Sequence, residues 1–186
     1  MVDPDKRLVR FAKHGNKAAF GKLVRKYRDP LLNLVYDYLR DYDQAKDVAQ
    51  DVFMRAFRNI RDFEEKSLFS SWLYRIAVNA SIDALKSRAR KKRRSLEAVD
   101  DERENGTPQN AQDLLDDEMI YAINKLSENQ HTAIILRYFH QKSIHEIAEV
   151  LDISINTAKS RLYYGLKTLR KLLIDNPQTK EFYYEY

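Results

Sequence analysis

Cysteine is absent from the 186-residue chain, which excludes a disulfide framework and any thiolate metal site and suits a reducing compartment. Its four glycines are scattered, so there is no Gly-rich loop to cradle a phosphate. The four histidines, His14, His131, His140 and His145, show no ligand spacing. The segment HEIAE at 145–149 misses the zinc-protease pattern because its fifth residue is Glu149 rather than His. These absences read as a protein that is not an enzyme, with no catalytic residue, no metal and no cofactor. Long apolar runs are also missing: nothing approaches the roughly 20 residues that a membrane span needs. The opening segment, MVDPDKRLVRF, is charged and lacks the apolar core of a secretory signal. A soluble cytoplasmic protein is expected.

Strand signals are nearly absent too, and helical periodicity runs almost end to end, so the expected fold class is all-α. Charge divides the chain into three zones. Residues 1–95 carry 23 Lys and Arg against 12 Asp and Glu, residues 96–118 one against nine, and the remainder nine against seven. The acidic middle zone contains Gly106 and Pro108 and has no helical period until about Leu114. It reads as an exposed linker over 96–113 between two small helical domains, 1–95 and 114–175, with a tail at 176–186. That tail, NPQTKEFYYEY from Asn176, is aromatic and acidic.

From Ser143 to Leu173 the chain reads as a helix-turn-helix. Ile144, Ile147, Ala148 and Leu151 form one apolar stripe at i, i+3, i+4, i+7. Asp152 falls where the turn needs a left-handed residue, and Ser154 is placed to accept a hydrogen bond from an orphan N–H of the second helix. The second helix is expected to bury Ala158, Leu162, Leu166, Leu169 and Leu173, and to turn outward Lys159, Ser160, Tyr163, Tyr164, Lys167 and Arg170. Between Ser154 and Lys171 there are five basic residues and no acidic one, so a helix laid in the major groove meets phosphate without like-charge repulsion. A plain helical hairpin with a solvated basic face explains less of this pattern.

In the first domain, one helix presents Leu8, Phe11 and Ala12, and the next Phe20, Leu23, Val24 and Tyr27. Asp29-Pro30 either kinks the chain or starts a new helix, after which Leu31, Leu34, Val35 and Tyr38 continue the stripe. From Tyr42 to Ile60, Ala45, Val48, Ala49, Val52, Phe53, Ala56, Phe57 and Ile60 form a long apolar face. A second line of Asp47, Gln50, Asp51 and Met54 fits either a solvated face or a docking surface for another protein's helices. The loop from Phe63 to Ser71, with Phe63, Lys66, Phe69 and Ser70, has the aromatic faces and hydroxyls that single-stranded bases use, although these aromatics also suit a core. The helix that follows turns Leu73, Ile76, Ala77, Ala80 and Ala84 inward and Arg75, Asn79, Asp83, Lys86 and Arg90 to another face. It ends in a run from Lys86 to Arg94 with seven basic residues in nine, suited to tracking phosphates.

These motifs, in this order, resemble the extracytoplasmic-function (ECF) group of the bacterial sigma-70 family over nearly the whole chain. NKAAFGKLVRKY at 16–27 resembles the opening helix of sigma domain 2. AKDVAQDVFMRAF at 45–57 resembles the helix that grips the clamp helices of the polymerase β′ subunit, which implies that role for Asp47, Gln50, Asp51 and Phe53. FSSWLYRIAVNASID at 69–83 resembles the region that melts the promoter and reads its minus-ten element. SIHEIAEVLDISINTAKSRL at 143–162 is similar to the sigma domain 4 helix-turn-helix, which reads the minus-thirty-five element and touches the β flap. Lys46 stands where the family usually has an acid, Asp152 and Asn156 where Gly is common, and Tyr163 and Tyr164 at base-facing positions where relatives often carry other residues.

The resemblance implies a non-catalytic specificity subunit that binds core RNA polymerase and promoter DNA, held in check by an anti-sigma factor that is often membrane-linked, with no membrane insertion of its own. For the melted minus-ten strand it implies a base pocket at Phe63 and Asn79, surrounded by Lys66, Phe69 and Ser70, with Lys86, Arg88 and Arg90 along the backbone. In domain 4 it implies Lys159, Ser160, Tyr163 and Tyr164 at base edges and Thr157, Arg161 and Lys167 at phosphates. A stand-alone helix-turn-helix regulator is the competing reading; such a protein usually has a dimer surface or sensor domain, and neither is evident.

Overall fold

The computed structural model of the chain describes residues 3–64, 66–96 and 111–174. Every regular element among them is helical, and contacts gather the chain into two compact units. The first holds α1 (Lys6–Lys13), α2 (Lys17–Leu39), α3 (Tyr42–Asn59), a 3-10 turn (Ile60–Asp62) and α4 (Phe69–Leu96). The second holds α5 (Ala111–Asn124), α6 (Glu128–Ile134), a π-helical turn (Ile135–Phe139), most of α7 (Ile144–Leu151) and α8 (Ile155–Ile174). The linker expected at 96–113 falls outside the described residues except at its ends, where α4 continues to Leu96 and α5 already begins at Ala111. The tail at 176–186 also lies outside them.

In the first unit α2 is the central element, packed on α1, α3 and α4. Asn16 caps its start by accepting from the Ala19 N–H at 3.0 Å, and Gly15 turns the chain into it at φ +87°, a conformation that favours glycine. The helix runs unbroken through Pro30. Proline there cannot donate to the carbonyl of Lys26, a cost of about 3 kcal/mol. Burying Leu31, Leu34 and Val35 completely beyond it, at about 1.5–3 kcal/mol each, outweighs that cost.

Two expected faces are corrected. On α1 the inward line is Val9 and Ala12, with the buried Asp5 just before it at the N-cap, which leaves Phe11 exposed. On α3 the inward line is Ala45, Ala49, Val52 and Ala56, while Phe57 is exposed. Small side chains face α2 and α4 on this helix, and the larger rings stand beside the contact.

In the second unit Ala133, Ile134, Ile135 and Leu136 form a buried run, and α6, which carries the first two, packs on α8. α8 buries Ala158, Leu162, Gly165 and Leu169, whereas the expected core residue Leu166 is exposed and Leu173 half-buried. Glycine takes the inward position where the helices approach closely: a Cβ on Gly165 would lie 3.1 Å from Ile134 Cγ1, which would have to give way by a few tenths of an ångström.

Candidate functional site

Three surfaces carry the expected functional residues. The first is an apolar groove of about 770 Å³ between α2 and α3, lined by Phe20, Val24, Phe53, Met54 and Phe57, with Gln50, Arg28, Lys46 and Arg58 also on it. Phe20 meets Phe57 edge-on at 5.0 Å between centroids. α3, which packs on α2, starts at an Asp41 cap that accepts from the Gln44 N–H at 3.0 Å. Of the four residues expected to touch a partner protein, Gln50 and Phe53 line the groove and Asp47 and Asp51 do not. Asp47 is exposed on α3, and Asp51 is held by Arg55 at 2.7 Å. Lys46 leans over the Tyr42 ring at 4.2 Å and pairs with Asp43 at 3.6 Å.

The second surface is the loop leading into α4 and that helix's outer face. Here the expectation of free aromatic faces is corrected: Phe63 is 4% exposed and Phe69 1%. Their rings pack on each other at 6.0 Å and on Trp72 at 5.1 and 5.7 Å, and Phe69 also meets Tyr27 at 5.8 Å. The 3-10 turn after α3 folds the loop back, so these rings join the core. Ser70 is half-buried, while Lys66, Asn79, Lys86, Arg88 and Arg90 are exposed. Lys66 pairs with Glu64, whose hydrogen bond and charge hold the ammonium above its ordinary pKa. Arg88 reaches the carbonyl of Leu39 at 3.4 Å and Arg90 that of Lys86 at 3.3 Å; each keeps donors for a phosphate.

The third surface is the helix-turn-helix. Ser143 and Glu146 form a reciprocal cap at the start of α7: the Ser143 N–H and hydroxyl donate to Glu146 Oε2 at 2.9 and 2.8 Å, and the Glu146 N–H donates to Ser143 Oγ at 3.2 Å. Burial pushes the Glu146 carboxyl up, but the bonds from Ser143 and the nearby Lys142 outweigh it and hold the group below the ordinary carboxylate value. α7 ends with Asp152 at φ +55° and the Ile153 N–H on the Ala148 carbonyl at 3.0 Å, a left-handed stop that Asp tolerates. Ser154 accepts from the Thr157 N–H at 3.1 Å and so starts α8 as expected. Asn156 lies inside α8 and needs no left-handed backbone.

Along α8, Thr157, Lys159, Ser160, Tyr163, Tyr164 and Lys167 are exposed and Arg161 is half-buried. Tyr163 and Tyr164 are 63% and 55% exposed and stand edge to face at 5.2 Å. Two apolar-bodied rings with hydroxyl tips are thus left mostly in water on a basic helix.

Sequence reasoning missed the polar network at the start of the first unit, where Asp5 is buried against Lys26 and Tyr27. No local pattern reveals it, because its partners are more than 20 positions apart. The Ser143–Glu146 cap, by contrast, has a legible signature in the S-x-x-E spacing.

Taken together, an apolar groove beside a basic helix in one unit and a helix-turn-helix in the other define a DNA-binding protein built of two all-α units. The family models Sigma-70 region 2 and Sigma-70, region 4 match residues 23–91 and 116–169. The chain is 32% identical to the ECF RNA polymerase sigma factor SigW of Bacillus subtilis over 91% of this chain and 97% of that protein. It is 33% identical to the RNA polymerase sigma-H factor of Pseudomonas aeruginosa, over 92% and 94% respectively. Among solved structures it is similar to the sigma factor RpoE in complex with the anti-sigma factor NepR from Bartonella quintana, with a TM-score of 0.64 and 27% identity over 84% of this chain and 98% of that one. The chain belongs to the ECF group of the sigma-70 family of RNA polymerase sigma factors. Its function is therefore that of a sigma factor, directing RNA polymerase in promoter recognition and transcription initiation. Sigma factors are non-enzymatic initiation factors. Among the described residues, no helix is long and apolar enough to cross a membrane.

Proposed function

We propose that the chain acts in the cytoplasm, without catalysis of its own, as a two-point promoter reader assembled on core RNA polymerase. In this reading residues 1–95 are sigma domain 2, 96–113 the linker, 114–175 sigma domain 4 and 176–186 the tail. The β′ clamp helices engage the α3 surface at Asp47, Gln50, Asp51 and Phe53, and domain 4 meets the β flap. Lys159, Ser160, Tyr163 and Tyr164 reach base edges of the minus-thirty-five duplex, while Thr157, Arg161 and Lys167 hold phosphates.

Opening the duplex disrupts stacking of about 1.4 kcal/mol per base step. Lys66, Ser70 and Asn79 offset that loss by binding the separated minus-ten strand, with Lys86, Arg88 and Arg90 along its backbone. The buried Phe63 and Phe69 support this surface from beneath. A relative of known structure is in complex with an anti-sigma factor, and the same control is proposed here.

The observation that carries the reading is the exposed Tyr163–Tyr164 pair on a helix face whose charges are all positive. The test is run-off transcription with core polymerase plus this chain. Promoter-dependent transcripts are expected, and Tyr164→Ala should cost about 1–3 kcal/mol of promoter affinity and relax base preference. A stand-alone regulator would bind DNA without programming core enzyme to initiate. A uniform loss on all sequences would reassign Tyr164 to backbone contact.

A further inference from the structure

The loop entering α4 is tied down by the start of the chain. Asp3 Oδ2 accepts the Phe69 N–H at 2.8 Å, which caps the first turn of α4 from a position 66 residues away, and Asp3 Oδ1 accepts the Asp5 N–H at 2.8 Å. Asp5 is 2% exposed, and its carboxylate accepts from Lys26 Nζ at 2.7 and 2.8 Å and from the Tyr27 hydroxyl. The Tyr27 ring lies on Phe69 at 5.8 Å between centroids. Burial and the bond to Asp5 keep the Tyr27 hydroxyl protonated, so it remains a donor. At the other end of the loop, Lys13 Nζ donates to the Phe63 carbonyl at 2.6 Å. The loop that carries Lys66 is therefore anchored at Phe63 and at Phe69, and Ser70 follows in the first turn of α4.

We propose that Asp3 and Asp5 are positioning residues for strand capture: Asp3 sets the first turn of α4, Asp5 sets Tyr27 beneath it, and together they hold Lys66 and Ser70 in register with Asn79. Neither aspartate touches DNA. A loop anchored before DNA arrives spends little of its contact energy on ordering itself, so its loss shows in strand affinity. The inference rests on the reading of Lys66, Ser70 and Asn79 as strand contacts, and the experiment separates the two.

Full-length chain is assembled with core polymerase, and the affinity of this holoenzyme is measured for single-stranded DNA that the wild-type holoenzyme has enriched from a randomised pool. Asp3→Ala removes the cap on Phe69 and is expected to weaken strand binding about fivefold. Core affinity should stay unchanged while the thermal midpoint falls only by the few degrees that a lost cap costs, and Asp3→Asn, which keeps an acceptor oxygen, should restore most of the binding. Tyr27→Phe, which leaves the Asp5–Lys26 pair in place, should weaken strand binding in the same direction. If Asp3→Ala binds the strand as well as wild type while Lys66→Ala and Asn79→Ala bind it poorly, the positioning role is wrong and the contact reading stands. If Lys66→Ala and Asn79→Ala leave strand binding unchanged, the contact reading fails and this inference with it. If Asp3→Ala weakens core and strand binding alike, Asp3 is only structural and the proposal is overturned.

Discussion

Glu146 shows how a single side chain makes the fold depend on pH. Its carboxyl is lowered from the ordinary value of 4.5 in the folded chain because Ser143 and Lys142 favour the charged form more than burial opposes it. A depressed folded-state pKa contributes stability that is present above the ordinary value and lost as pH falls through the folded one. Glu146→Gln should therefore cost about 1 kcal/mol at neutral pH, and the difference from wild type should shrink as the solution is acidified below pH 4.5. Denaturant unfolding at a series of pH values measures this; a gap that widens on acidification would refute the assignment. The residues of this cap are legible as S-x-x-E, whereas the lowered pKa is not, because it needs the burial and the neighbour that only folding supplies. Phe63 and Phe69 illustrate the same limit, since an aromatic beside a basic helix suits a base contact and a core equally until its exposure is known.

Elements succeed or fail by what their faces meet. Periodicity located the turn at Asp152 and the start of α8 at Ser154, but it left open whether a new helix starts at Pro30 and found no helical period before Leu114, where α5 already begins at Ala111. It misplaced two residues of the α8 core: Leu173 is half-buried, and hydrophobicity suggests Leu166 where close approach selects Gly165. Gly165→Ala gains helix propensity of up to about 1 kcal/mol, but its Cβ would press on Ile134, which is fully packed, at a cost of about 1–3 kcal/mol. A net loss of about 1 kcal/mol is expected in thermal unfolding, and a stabilised variant would show that α6 can yield. On α3 the same reasoning concerns function. Gln50 lines the groove and Asp51 is set by Arg55, so Gln50→Ala with Asp51→Ala should weaken core polymerase binding by about 1–3 kcal/mol with the circular dichroism of the chain unchanged. Unaltered core affinity would place the polymerase contact elsewhere.

At the scale of the molecule, the net charge of +5 hides a separation of sign, with residues 1–95 strongly basic and 96–118 strongly acidic. Exposed Lys86, Arg88 and Arg90 concentrate the positive field on the end of α4. If each holds one phosphate of the separated strand, changing all three to Ala should flatten the slope of log affinity against log salt by roughly 2. A fluorescence titration of holoenzyme with single-stranded DNA over a range of salt reads this directly, and an unchanged slope would remove these residues from the backbone path.

By itself the sequence determined that the chain is all-helical, where the turn of its helix-turn-helix lies, which face of α8 is basic and to which family it belongs. The first three follow from short-range spacing, which chemistry at three or four residues' distance enforces; the family follows from the resemblance of whole motifs. Only the tertiary structure decided that Phe63 and Phe69 are core, that α2 continues through Pro30, that Gly165 rather than Leu166 faces α6, and that Asp3 caps a helix starting at Phe69. Those outcomes depend on which distant surfaces meet and how closely, and burial, close approach and long-range hydrogen bonds leave no periodic trace along the chain.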